Sequence, residues 1–329
     1  MATWYNSDRS GNGLHLDTVV NHVPTEINGY GYEVASVADK AMRFLLANDN
    51  NWFMYRDEGD GNNVWGVTAG SAISTFIIET VFRVSASSCW NTNYNHWRLL
   101  SIRDLDAGDL EFYNLSNDDG SGGDYDISNL RFWNGGSNYA QISHDLDDPV
   151  SHWIYNVIVF DSGNTIGGQN YWGAWGDLTD ADANLTTSTT RALNLNSTTT
   201  ETANADSWII FGHCSNTEFV HSGAYLDLSA VRVGKFTTGT YTDTILQTRF
   251  DAIKNAANWS TPDGPFDPNS STIPSGDTTT FLLTGNTDSG GSTLTKHWHH
   301  KDKNMCFKDH SCGLIKPTLR EVINVNTWR

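Results

Sequence analysis

The chain has 329 residues, with 20 Lys and Arg against 38 Asp and Glu, a formal net charge of −18 at pH 7. So acidic a body argues against nucleic acid as a partner, because that binding relies on basic side chains displacing counterions from phosphates. No run approaches the roughly 18 apolar residues of a membrane-spanning helix, so no membrane partner is expected either.

The polarity comes largely from uncharged groups. Charged residues are 18% of the chain, against about 25% in ordinary soluble proteins, while there are 32 Asn and 29 Gly among long Thr/Ser tracts. Hydrophobic residues at 38%, with 13 Trp, suffice for a sizeable core. The first residues, Met1-Ala2-Thr3-Trp4-Tyr5-Asn6, carry neither the basic region nor the apolar region of a secretory signal, and none is expected. The cysteines Cys89, Cys214, Cys306 and Cys312 form no disulfide framework for so long a chain and read as buried or free thiols.

In chain order the dominant signal is period-two alternation, the mark of half-buried strands. Phe76, Ile78, Phe82 and Val84 share one face of a strand over 76–84, and Glu79 and Arg83 lie on the other among Ile77 and Val81. The segment 152–161 is apolar on both faces, with Trp153, Tyr155, Val157 and Val159 opposite Ile154, Ile158 and Phe160. It is expected at the centre of a sheet. Further strands are predicted over 42–46, 52–56, 97–103, 109–114, 130–133, 139–143, 207–212 and 225–236. Gly-, Asn- and Asp-rich turns separate them. Many short strands at regular spacing indicate a sandwich or barrel.

One segment departs from this. Ile245, Leu246, Phe250 and Ile253 fall at helical spacing, with Thr242 or Asp243 placed to cap, which predicts a short amphipathic helix over 242–255. From 258 to 291 Pro, Asp, Ser, Thr and Gly predominate, which reads as a linker or irregular arm with one apolar run, Phe281-Leu282-Leu283. The expected division is a sandwich with an N-terminal extension over 1–257, an arm over 258–294 and a tail over 295–329.

The order of these features resembles a concanavalin A-like (laminin G-type) jelly-roll domain over roughly 30–256. The residues that carry the resemblance are Ala41-Met42-Arg43-Phe44, then 75–84, then His152-Trp153-Ile154-Tyr155-Asn156-Val157. Trp208-Ile209-Ile210-Phe211-Gly212 follows, then a strand begun at Gly223, then Ala230-Val231-Arg232-Val233 and the helix. The resemblance implies an all-β jelly-roll sandwich. Its superfamily includes lectins, glycan-binding modules, some glycosidases and phage surface proteins, so fold alone does not assign function. The sequence departs from the pattern in lacking an Asn-Gly turn after the Trp153 strand and in a long insertion over 161–206.

Metalloprotease, serine-hydrolase and phosphate-loop motifs are absent from the sequence. Sandwich glycosidases are similar to one another in a strand with two carboxylates on one face, one nucleophile and one proton donor. The nearest pairs here, Asp104/Asp106 and Asp109/Glu111, do not match that pattern, and no catalytic residue is assigned. No cofactor is required; if a cation is held, two segments suit one. Asp118, Asp119, Asp124 and Asp126 sit among glycines in a loop whose oxygen ligands fit calcium, although tight turns use the same residues. His297, His299, His300, Cys306, His310 and Cys312 concentrate the N and S ligands that zinc takes, in a spacing that matches no familiar zinc module.

Tyr171, Trp172 and Trp175 in the insertion are the candidates for an exposed platform on which sugar rings stack; the competing reading is that such aromatics pin their loop. The tail is distinct in charge. Residues 295–329 hold seven Lys and Arg and three Asp and Glu, a charge of +4 that leaves −22 for residues 1–294. A basic, aromatic tail suits docking on an acidic surface, with Trp298, Leu314, Ile315, Val322 and Ile323 as anchors.

Together these features lead to an expectation of a non-enzymatic structural protein on a virion surface, made in the host cytoplasm. Its expected role is capsid decoration, bound to a major capsid protein or to copies of itself. A glycan-binding adhesin or tail-fibre module, meeting a cell-surface glycan, is the alternative, and a polysaccharide hydrolase the third reading.

Overall fold

Alternating apolar residues give this chain strands, and their two buried faces decide how the strands layer. The structure, a computed structural model, describes residues 8–12, 14, 18–20, 25–37, 39–47, 50–51, 53–55, 64–68, 71–84, 97–105, 108–113, 126–134, 139–145, 151–164, 171–187, 201–214, 224–261 and 263–285. In chain order the elements are β1 (Thr18–Val20), β2 (Thr25–Asn28), α1 (Tyr30–Ala35), β3 (Lys40–Ala47), β4 (Asn50–Asn51), β5 (Phe53–Tyr55) and β6 (Ala72–Ile73). Then come β7 (Thr75–Val84), β8 (Trp97–Leu105), β9 (Gly108–Tyr113), β10 (Asp126–Asn134), β11 (Tyr139–Asp145), β12 (Ile154–Asp161) and β13 (Tyr171–Asp177). The remainder are β14 (Thr186–Thr187), β15 (Glu201–Cys214), β16 (Ala224–Phe236), α2 (Asp243–Lys254) and β17 (Asp277–Thr284).

The strands form two antiparallel sheets. One runs β1-β5-β15-β8-β9-β10-β11, with β6 also on β15; the other runs β14-β13-β12-β7-β16-β3-β2, with β17 on β16 and β4 on β3. The chain passes repeatedly from one sheet to the other, the connectivity of a jelly-roll sandwich. The fold is an all-β sandwich, as the sequence pattern implies.

Strand β12 pairs with both β7 and β13, and every residue from Ile154 to Asp161 is buried, as its two apolar faces require. Phe76, Ile78, Phe82, Ile154 and Ile158 fill one side of the nine-stranded sheet. Ile77, Val81, Trp153, Tyr155, Val157, Val159 and Trp172 fill the other. This second side is covered by α1, α2 and the turns after α2, through Tyr30, Leu246, Phe250, Ile253, Trp259 and Phe266. The helix predicted over 242–255 is α2, and its cap is Thr242, whose side chain accepts from the Ile245 amide.

The expected arm differs from what the chain does. Between 256 and 285 it is folded onto the body: short 3₁₀ turns at Ala256–Ser260 and Gly264–Phe266 lead into β17, which pairs with β16 from Asp277 to Thr284. Composition hid this because Pro, Asp and Ser make the turns, while single apolar residues spaced between them reach the core. Trp259, Phe266 and Phe281 are fully buried and Ile273 nearly so. The boundary expected near 258 therefore lies inside the compact unit Met1–Thr295. β17 and β3 lie end to end along one edge of β16, joined where the Lys40 amide donates to the Gly285 carbonyl (3.0 Å). Asp8 covers the outer edge of β17, accepting from the Leu282 amide at 3.0 Å.

Candidate functional site

Two charged residues interrupt the apolar run on the helix-covered side, and the register places them opposite each other: Glu79 of β7 and Arg232 of β16. A third, Arg249, comes down from α2. Glu79 lies between the two guanidiniums. Arg249 Nε and Nη2 donate to Glu79 Oε1 (2.9 Å) and Oε2 (3.2 Å), and Arg232 Nη1 donates to Oε2 (2.8 Å). Tyr155 Oη donates to Oε1 at 2.7 Å. The remaining donors are also used. Arg249 Nη1 reaches the Pro265 carbonyl (2.6 Å) and Thr272 Oγ1 (2.7 Å), and Arg232 Nε reaches Thr279 Oγ1 (2.8 Å). Arg232 Nη2 and Tyr241 Oη both donate to the carboxylate of Asp277 at the start of β17.

Burial alone would raise the Glu79 carboxyl; Arg249 and then Arg232 outweigh it and hold it at about 2. Burial pushes the Asp277 carboxyl up, against the pull of Arg232, and raises the phenols of Tyr155 and Tyr241. A buried ion pair is stable only when its hydrogen bonds are completed, as these are. With Glu79, Arg232 and Arg249 wholly inaccessible to water, the cluster is closed to any substrate. What it does chemically is fasten α2, the 3₁₀ turns and β17 to the sheet.

A second cluster lies at the rim of the same side. Asp227 of β16 is opposite Arg83 of β7 and Arg43 of β3, and both guanidiniums bond its carboxylate, at 3.0 and 2.7 Å. Arg83 also pairs with Glu33 of α1 (2.9 Å) and lies over the Trp153 ring, whose Nε1 donates to Glu33. Farther along, His152 and Asp177 meet at 2.6 Å, while Asp177 Oδ1 accepts from the amides of Thr179 and Asp180.

Of the residues proposed from sequence, the aromatic platform needs correction. Tyr171–Asp177 is a strand of the sheet, and residues three apart on a strand point to opposite faces. Trp172 is 1% exposed on the helix-covered side and Trp175 is 9% exposed on the other, so the two share no open face. The side chain of Tyr171 lies outside the described ones. Asp126 opens β10 opposite Asp145 of β11, and Asp118, Asp119 and Asp124 lie outside the described residues. So do His297, His299, His300, Cys306, His310, Cys312 and the anchors Trp298, Leu314, Ile315, Val322 and Ile323. Among the described residues no group of three or more His, Cys, Asp or Glu is placed to hold a metal ion. Sequence reasoning noted Glu79 and Arg83 only as strand residues and left Arg249 aside. The available signal was charge set among the apolar residues of two strands, Glu79 between Ile77 and Val81 and Arg232 between Val231 and Val233.

No protein-family model matches the chain, and no curated protein sequence matches it. Among solved structures it is similar to the binding domain of botulinum neurotoxin serotype D, with a TM-score of 0.39 and 11% identity. That likeness covers 74% of this chain and 47% of the toxin domain, so the chain spans about half of its length. It is also similar to a peanut lectin, with a TM-score of 0.32, 8% identity and coverage of 63% and 94% of the two chains. Lectin II from Ulex europaeus gives 0.31 and 10%, with coverage of 59% and 86%. Likeness of this size transfers neither ligand nor role to this chain.

Proposed function

We propose that the chain is a non-enzymatic structural subunit of a particle surface, of the capsid-decoration kind. In this reading the acidic sandwich is a rigid body, and the basic residues 295–329 make its contact with neighbouring copies. The observation that supports it is how the body ends. Glu79, Arg232, Arg249 and Asp277 hold α2 and β17 on the sheet, and the Gly285 carbonyl is tied to the Lys40 amide. Gly285 is therefore a fixed point of a strongly acidic body, and the sequence that follows it carries net positive charge. Contact by complementary charge gives register and fast encounter, and it weakens with salt. The non-enzymatic reading is supported by the state of Glu79, a carboxylate enclosed between two guanidiniums beneath α2.

Sedimentation velocity on the full chain and on a chain ending at Gly285, at low and high salt, tests this. The full chain should associate at low salt and dissociate at high salt, while the shortened chain stays monomeric with an unchanged unfolding midpoint. Identical sedimentation of the two chains at every salt concentration would contradict the proposal. Selective binding of both chains to one sugar on a glycan array would favour the glycan-binding alternative instead. The cut belongs after Gly285, since removal from 258 takes away Trp259, Phe266 and β17 and should unfold the body.

A further inference from the structure

Asp39 stands apart from the other buried carboxylates. Glu79, Asp277 and Asp227 each face a guanidinium, and Asp161, which accepts amide bonds, uses both oxygens, from Gly163 (3.1 Å) and Gly239 (2.7 Å). Asp39 is 0% exposed; its Oδ2 accepts from the Gly31 amide (2.9 Å) and Ser229 Oγ (3.1 Å), and its Oδ1 meets no partner. Gly29 makes room for it: a Cβ there would lie 2.3 Å from Oδ2.

The position is a junction. Gly31 belongs to the first turn of α1, whose N-cap residue, Gly29, has no side chain to offer its amides. Ser229 lies at the irregularity in β16 between Leu228 and Ala230. The Gly29 amide donates to the Asp39 carbonyl (3.1 Å), closing the loop, and the next residue, Lys40, bonds the end of β17. One carboxyl thus links α1, the entry to β3 and the kink of β16.

We propose that Asp39 is a proton-operated latch on α1, holding the 29–39 loop against β16 when protonated and loosening it when the proton is lost. A proton on Oδ1 removes the buried charge and leaves both bonds accepted by Oδ2 in place. Burial pushes the carboxyl from 3.8 up to about 7; the bonds from Gly31 and Ser229 and the adjacent Lys40 amide lower it, and nearby Glu33 raises it. From α1 the charged group is Glu33, already held by Arg83. From β3 comes the Lys40 amide, while the Lys40 ammonium turns to Asn28 and Glu26. From β16 come the Ser229 hydroxyl and Asp227, the latter held by Arg43 and Arg83. The turn behind Gly31 brings the uncharged Trp259, and the end of β17 brings only the backbone of Gly285.

The direction follows from linkage. The closed loop keeps the proton to about pH 7 and an opened one only to about 3.8, so opening releases a proton between those values. Opening then becomes about tenfold easier per pH unit across that window and levels off above it. The test uses the full chain: a carbon-13 titration of the Asp39 carboxyl, and amide hydrogen exchange over 29–37 corrected for intrinsic base catalysis. The expected result is a carboxyl midpoint near 7 with protection falling about tenfold per unit towards it, and no such fall in Asp39→Asn. A midpoint below 5, pH-independent protection in the unaltered chain, or the same slope in Asp39→Asn overturns the proposal. Should Asp39→Asn not fold, the titration and exchange of the unaltered chain decide it.

Discussion

Strands β7 and β16 carry two cross-strand ion pairs on one side of the sheet, Glu79 with Arg232 and Arg83 with Asp227, and their surroundings give them different roles. Beneath α2, Glu79 and its two arginines have no exposed side-chain surface, and every contact that holds them is supplied by the chain. At the rim, the Arg83 side chain is 14% exposed, Arg43 25% and Glu33 38%, so water can reach these three, while Asp227 between the arginines is 0% exposed and has two of them to hold it. The comparison teaches that access to solvent, more than the number of ion pairs, decides whether a charge pair is structural. An inner charge deprived of its partner is not reached by water; a rim arginine or Glu33 is rehydrated, and Asp227 keeps its second arginine.

Four changes test that contrast, in decreasing order of effect. Glu79→Ala leaves the buried guanidinium of Arg249 without a carboxylate and Arg232 with Asp277 alone, and should lower unfolding stability by about 3–5 kcal/mol in denaturant titrations. A loss no larger than that of a rim variant would erase the distinction.

Acid should act on the same group. Glu79 is held at about 2, below its ordinary 4.5, so its contribution is present above pH 4.5 and is lost as pH falls from 4.5 towards 2. That contribution amounts to about 3 kcal/mol. The acid limb of stability against pH should be shallower by one proton in Glu79→Gln, and an unchanged limb would show that another group sets it.

Gly176→Ala asks how much of the hold on α2 is packing. A Cβ at this position of β13 would lie 2.3 Å from Cε2 of the Phe250 ring, and such overpacking costs about 1–3 kcal/mol. The smallest effect belongs to the rim: in Arg83→Ala, Asp227 keeps Arg43 and Glu33 keeps the Trp153 indole. A loss of about 1 kcal/mol or less, further reduced by salt, is expected in thermal unfolding.

Much of the fold was legible because strand burial has a two-residue period that sequence displays directly. β12 could be placed at the centre of a sheet from its two apolar faces, and α2 from the spacing of Leu246, Phe250 and Ile253 with Thr242 before them. The segment after 258 was misread because its core contacts come from isolated residues such as Trp259 and Phe266, which have no period. Trp172 and Trp175 were read as a loop because glycines surround them, yet Gly176 is small so that Phe250 can lie against it. The charge clusters were the least legible, since Glu79, Arg249 and Asp277 are far apart in sequence and meet only through the antiparallel register and the descent of α2 onto the sheet.

The claim that this inner network joins α2 to the sheet is tested most directly by a double-mutant cycle between Glu79→Gln and Arg249→Met, read by denaturant unfolding. Residues sharing one network should couple by about 2 kcal/mol or more. Losses that simply add, with coupling below about 0.5 kcal/mol, would contradict it and leave α2 held by its apolar face alone.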